Sequence, residues 1–145
     1  GSDVNLVIVG RTGWHVEELT KRLRNHPEAG KRLFWLEGIS DEFLDQVYEA
    51  CDVLLAASEG EGFGLPLIEA AQKGIPLLVR DLPVFREVAG SAADYFANTT
   101  DPAAIVAAME KWLAERGKPA AGPSAQLTWL TWDESTGQLF ERITQ

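Results

Sequence analysis

Ser58-Glu59-Gly60-Glu61-Gly62-Phe63-Gly64-Leu65-Pro66-Leu67-Ile68-Glu69-Ala70 is the stretch on which the reading of the fold turns. The apolar run before it, Asp52-Val53-Leu54-Leu55-Ala56-Ala57, predicts a buried strand. Three alternating glycines follow, then Pro66 where the first turn of a helix tolerates it and Gly74 where that helix ends. A strand, a glycine-rich turn and a helix in that order let backbone approach a ligand closely, and the amides of the helix start favour an anion. Glu61 and Glu69 bracket the turn with two carboxylates.

The same alternation extends both ways. Upstream, Asn5-Leu6-Val7-Ile8-Val9-Gly10 and Leu33-Phe34-Trp35-Leu36 read as strands, the latter closing at Gly38. His15 to Asn25 has helical spacing, with Val16, Leu19 and Leu23 on one face. Ser40 reads as an N-cap, followed by an apolar stripe of Phe43, Leu44, Val47 and Tyr48. Downstream come a strand over Ile75 to Arg80, a short helix over Pro83 to Ala89 and a strand near Asp94 to Ala97. A helix opening at Asp101-Pro102, a loop over Gly117 to Gln126 and a final helix behind a capping box at Thr131-Trp132-Asp133-Glu134 complete the chain. About five strands joined by helices predict a Rossmann-like open parallel sheet with helices on both faces. Ligands of such sheets sit beyond the carboxyl ends of the strands, where Gly10, Gly38, the 58–65 loop and Asp81 all fall.

Composition bounds the function classes. At 145 residues, 46% apolar and 24% charged, the chain suits one globular domain, taken as residues 3–145 with Gly1-Ser2 as an expression scar. No apolar run approaches the roughly 20 residues a membrane span needs. Thirteen basic against 22 acidic residues give a net charge of −9, which opposes nucleic-acid binding. Lys21, Arg22, Arg24, Lys31 and Arg32 run against that trend; a solvated helix face is the preferred reading, and peripheral contact with anionic lipid or a partner domain the alternative. The lone Cys51 excludes an internal disulfide and suits a small buried side chain in a reducing, cytoplasmic compartment.

The central motif resembles the Glu-x7-Glu signature of the retaining glycosyltransferases of family 4, also called group 1, which have the two-domain GT-B fold. Glu61-Gly62-Phe63-Gly64-Leu65-Pro66-Leu67-Ile68-Glu69-Ala70 matches the pattern throughout. The likeness continues through Gly74-Ile75-Pro76-Leu77-Leu78-Val79 and Asp81-Leu82-Pro83-Val84-Phe85-Arg86-Glu87-Val88-Ala89-Gly90, with similar segments at Leu6 to Gly10, Gly38 to Glu42 and Thr131 to Ser135. It implies the carboxyl-terminal, donor-binding half of an enzyme that transfers a hexose from a UDP- or GDP-sugar to a hydroxyl, in polysaccharide or lipopolysaccharide synthesis at the inner face of the cytoplasmic membrane. In that reading Glu61 is catalytic and faces the transferred sugar. Glu69 binds the ribose hydroxyls, the amides of Gly62, Phe63, Gly64 and Leu65 serve the diphosphate and sugar, and Gly38-Ile39 contacts the base. Gly10 and Arg11 join the donor set from their place at a strand end, with Arg11 read either as a phosphate contact or, equally, as a solvated loop arginine. The family has a further strand, turn and helix, bearing an Arg and a Lys for the diphosphate, ahead of the segment matching Leu6, and an amino-terminal acceptor domain. The resemblance therefore implies a piece of a larger enzyme, inactive alone and a weak nucleotide binder at most, with no metal or other cofactor.

Blander readings stand beside these. An acid in the first turn of a helix gains about 0.3–1 kcal/mol from the dipole, which would by itself account for Glu69. Asp81 reads first as a cap for the helix at Pro83, and Arg86 and Glu87 as a surface pair. His15 and His26 read as surface residues, and Trp14, Trp35, Trp112, Trp129 and Trp132 as core or domain-contact residues. A nicotinamide dinucleotide domain is one rival, since Gly60-x-Gly62-x-Gly64 loosely imitates its fingerprint with Asp81 about 20 residues on, but the third glycine is out of register. A non-catalytic scaffold of the same fold is the other.

Overall fold

The computed structural model describes residues 4–116 and 123–144, with two compact units, Gly1–Val47 and Tyr48–Gln145. The first holds β1 (Leu6–Val9), α1 (Glu17–Arg24), β2 (Leu33–Leu36) and most of α2 (Asp41–Glu49). β1 and β2 pair in parallel, Leu6 opposite Leu33 and Val9 opposite Leu36. Ser40 caps α2 as expected, its Oγ accepting from the Phe43 N–H at 3.3 Å. α1 begins later than its apolar spacing suggests, because His15 sits at φ +56°, outside helical backbone.

The second unit holds β3 (Leu54–Ala56), α3 (Leu65–Gln72), β4 (Leu77–Arg80), α4 (Pro83–Ala89), β5 (Asp94–Phe96), α5 (Pro102–Arg116) and α6 (Trp132–Ile143). Its strands run parallel in the order β3-β4-β5. The five predicted strands are thus hydrogen-bonded as a pair and a triplet, each flanked in sequence by helices. β4 is the central strand of the triplet, and all four of its residues are buried. Its side chains alternate between two apolar clusters, as a pleated strand requires. Leu77 and Val79 join α3 and α4 through Leu67, Ala70, Ala71, Phe85 and Ala89. Leu78 joins Phe96 and Trp112, with Ile105, Met109 and Leu113 of α5 beside them. Helices therefore cover both faces of this sheet.

Of the five tryptophans, only Trp112 enters the core, its indole N–H donating to Asp94 Oδ2 at 2.8 Å. Trp35 is half-buried, whereas Trp14 and Trp132 are 94% and 81% exposed, which corrects the core reading for those two. The side chain of Cys51 is half-buried, and burial, with Asp52 beside it, raises its thiol pKa. Of the loop expected over Gly117 to Gln126, residues 117–122 lie outside the described residues and Pro123–Gln126 forms a 3-10 turn.

Candidate functional site

Gly64 fixes the exit of the glycine loop. It stands at the N-cap of α3 with φ +91°, and a Cβ there would meet the Phe85 ring at 3.1 and 3.3 Å. Gly60 and Gly62 have no left-handed φ, and a Cβ at either would meet nothing within 4 Å. Only the third glycine, therefore, is demanded by backbone and packing together. No side chain caps α3, and Pro66 has no N–H to offer. Phe63 and Leu65, on either side of Gly64, are 52% and 49% exposed.

The two acids stand on opposite sides of Gly64 in this loop–helix element. Glu61 is exposed, and its Oε1 accepts from the Gly62 N–H at 2.9 Å. Glu69 is half-buried, and its Oε2 accepts from the Tyr48 hydroxyl at 2.9 Å. Glu69 is the fifth residue of α3, not part of its first turn, where no acid is found. The dipole account of Glu69 loses force accordingly, since that effect fades beyond the first turn.

The carboxyl ends of the three strands are tied by a residue the sequence reading passed over. Arg80 closes β4 and is 3% exposed. Its Nε and Nη2 donate to the Ala57 carbonyl at 3.2 and 3.0 Å, its Nη1 donates to the Thr99 carbonyl, and its guanidinium lies over the Phe96 ring at 5.5 Å. One side chain thus joins the segment entering the glycine loop to the segment leaving β5.

Asp81 does not cap α4. The N-cap of that helix is Leu82, without a side-chain cap bond, and Asp81 instead holds Arg86 with both oxygens, at 2.7 and 2.9 Å. This corrects both the cap reading and the pairing of Arg86 with Glu87. The Arg86 hydrogen bonds draw the Asp81 carboxyl below its ordinary pKa and raise that of the guanidinium. Arg86 also stacks on Tyr95 at 3.6 Å, while the Tyr95 hydroxyl donates to the Gly90 carbonyl at 2.8 Å.

In the first unit the predicted residues lie just beyond the paired ends of β1 and β2. Gly10 has φ +147°, donates to the Leu36 carbonyl at 3.1 Å and accepts from the Trp35 indole at 2.9 Å. Arg11 is exposed, Gly38 has φ +65°, and Ile39 is half-buried. Thr12 bridges the two loops, its N–H and hydroxyl both donating to Glu37 Oε1 at 3.1 Å, while Arg24 meets Glu37 Oε2 at 3.2 Å. Burial acts to raise the Glu37 pKa, but the Thr12 and Arg24 bonds outweigh it and the net shift is downward. A groove of about 300 Å³ opens between Leu23, Leu33, Trp35 and the Arg24–Glu37 pair; none of the ten predicted site residues lines it. Of the cationic segment, Lys21, Arg22 and Arg24 lie on α1, whereas Lys31 and Arg32 lie beyond it, Arg32 pairing with Glu28 at 2.9 Å and Lys31 donating to the Pro27 carbonyl at 3.2 Å.

The family model described as glycosyl transferases group 1 matches residues 1–123 of the chain. A serotype-specific mannosyltransferase, WbdA of Escherichia coli, is 49% identical over 143 residues, which cover 99% of this chain and 17% of WbdA. O-antigen chain mannosyltransferase B of Escherichia coli is 30% identical over 139 residues, covering 92% of this chain and 35% of that protein. The crystal structure of Anabaena HepE in complex with UDP superposes with a TM-score of 0.70 at 20% identity, over 97% of this chain and 41% of that one. The chain therefore spans 17% and 35% of the lengths of these two curated relatives. Among the described residues, no helix is long and apolar enough to cross a membrane.

Proposed function

Because the chain belongs to the group 1 glycosyl transferases, we propose that it forms the donor-binding part of an enzyme that transfers a hexose from a nucleoside diphosphate to a hydroxyl, with retention at the anomeric carbon. The loop–helix element carries this reading: an exposed acid, a helix start opened by a left-handed glycine and free of side-chain caps, and a second acid set beyond the first turn. A carboxylate only accepts hydrogen bonds, so it suits a ligand that presents hydroxyl donors in pairs. Glu69 takes the ribose hydroxyls and Glu61 those of the transferred sugar, after release of its bond to Gly62. The diphosphate gains negative charge as the glycosidic bond breaks. The amides of Phe63 to Leu65 stabilise that charge, joined by that of Gly62 once Glu61 has released it. Gly38 and Ile39 serve the base, and Gly10 and Arg11 the remainder of the donor. The reading requires neither a metal nor another cofactor.

The names of the two Escherichia coli relatives support mannose as the sugar and O-antigen polysaccharide as the product class. Such synthesis fits a protein working with its own acceptor domain at the inner face of the cytoplasmic membrane. In the full-length protein, Glu61→Ala should lower transfer by about 100-fold or more, with nucleotide affinity largely kept. Normal turnover by that variant would remove the sugar-facing role. A panel of nucleotide sugars should show preference for a mannosyl donor, and turnover of a different sugar alone would overturn that assignment. UDP or GDP, but not NAD, should raise the melting temperature.

A further inference from the structure

Tyr48, the last member of the apolar stripe read along α2, is partly buried and packs against the cluster around Leu67 and Phe85. A phenylalanine would fill that place equally well. The hydroxyl adds a hydrogen bond from Oη to Glu69 Oε2 at 2.9 Å across 21 residues of sequence. That bond acts on the one acid of the loop–helix element that is half-buried. It occupies one of about four lone-pair positions on the carboxylate, so Oε1 and one position on Oε2 stay available. A glutamate side chain must lose rotamer freedom to receive a ligand, and a bond already formed in the free protein removes part of that cost.

We infer that Tyr48 is a positioning residue for ribose recognition: its hydroxyl sets the plane of the Glu69 carboxylate so that Oε1 meets a vicinal diol. The inference rests on the reading of Glu69 as the ribose acceptor. It concerns orientation, so its signature is a change in discrimination between diol and non-diol ligands, which a loss of general stability would not produce.

The test compares affinities of the full-length protein for UDP and GDP with those for their 2′,3′-dideoxy counterparts, by calorimetry, in wild type, Tyr48→Phe and Glu69→Ala. Tyr48→Phe should weaken the preferred ribonucleotide by about tenfold and leave its dideoxy counterpart nearly unchanged. The ratio of the two affinities, taken within each variant, cancels any effect of stability on the active fraction. Should Tyr48→Phe keep the wild-type ratio while Glu69→Ala abolishes it, the positioning role is overturned and the ribose reading survives. If Glu69→Ala keeps the ratio, or neither UDP nor GDP binds the wild type, the ribose reading falls and the role of Tyr48 with it.

Discussion

Gly64 answers to two constraints that its neighbours Gly60 and Gly62 escape. Its φ of +91° costs an L-residue about 1–2 kcal/mol, and a methyl group would press on the buried Phe85 ring at 3.1 Å. Gly64→Ala should therefore destabilise the chain by about 3 kcal/mol in urea unfolding, while Gly60→Ala and Gly62→Ala stay within about 0.5 kcal/mol. Equal effects at all three positions would refute the distinction. The sequence showed three glycines in a row of alternating positions and could not say which one the packing requires. Arg80 was hidden for a related reason. An arginine ending an apolar run reads as the place where a strand meets water, and its acceptors, Ala57 and Thr99, lie 23 and 19 residues away. Arg80→Met would leave those carbonyls without their charged donor and should cost at least about 1.5–3 kcal/mol. Asp81 gives a pH signature. Its folded pKa is lowered by Arg86, so the pair contributes fully above the ordinary aspartate range and is lost as pH falls through the depressed value. A carboxyl titration of the folded chain by NMR should place Asp81 below its ordinary value, and Arg86→Ala should return it there.

Elements were legible where the signal is local. The capping box at Thr131 is complete: Glu134 N–H donates to Thr131 Oγ1 at 3.2 Å, and Thr131 N–H donates to Glu134 Oε2 at 2.8 Å. Spacing alone encodes that exchange, so sequence found it. α6 has no buried residue, and Leu139, Phe140 and Ile143 are 57%, 65% and 71% exposed. With none of its residues buried among the described residues, the helix depends heavily on its cap. Thr131→Ala should cost about 1 kcal/mol and show as faster amide exchange confined to residues 132–136. Unchanged exchange there would mean the helix is held by something other than its first turn. Strand limits were less legible. The apolar run from Asp52 to Ala57 yields only Leu54–Ala56 as ladder, since hydropathy does not register where hydrogen-bond pairing stops. Asp81 shows the same limit at a helix start: an acid ahead of a proline looks like a cap, yet an arginine one turn into α4 draws it away.

Across the whole molecule, apolar burial is unevenly shared. Both buried clusters belong to the second unit, centred on β4, whereas no described residue up to Val47 is fully buried. The all-apolar run of β1 reads as a strand covered on both faces, yet Leu6 and Val9 are 42% and 41% exposed. Sequence periodicity reports what a segment is suited to, and only coordinates show how much of that suitability this chain uses. A two-stranded sheet with little buried surface is marginal in water, while a central strand under helices on both faces is protected up to the global stability. Amides of Leu6 to Val9 and Leu33 to Leu36 should therefore exchange with deuterium well before those of Leu77 to Arg80, and through local rather than global opening. The check is the denaturant dependence of exchange, weak for β1 and β2 and steep for β4. Equal protection with equal slopes would show that the chain opens as one cooperative body, and that the loops after β1 and β2 are as firmly held as the glycine loop after β3.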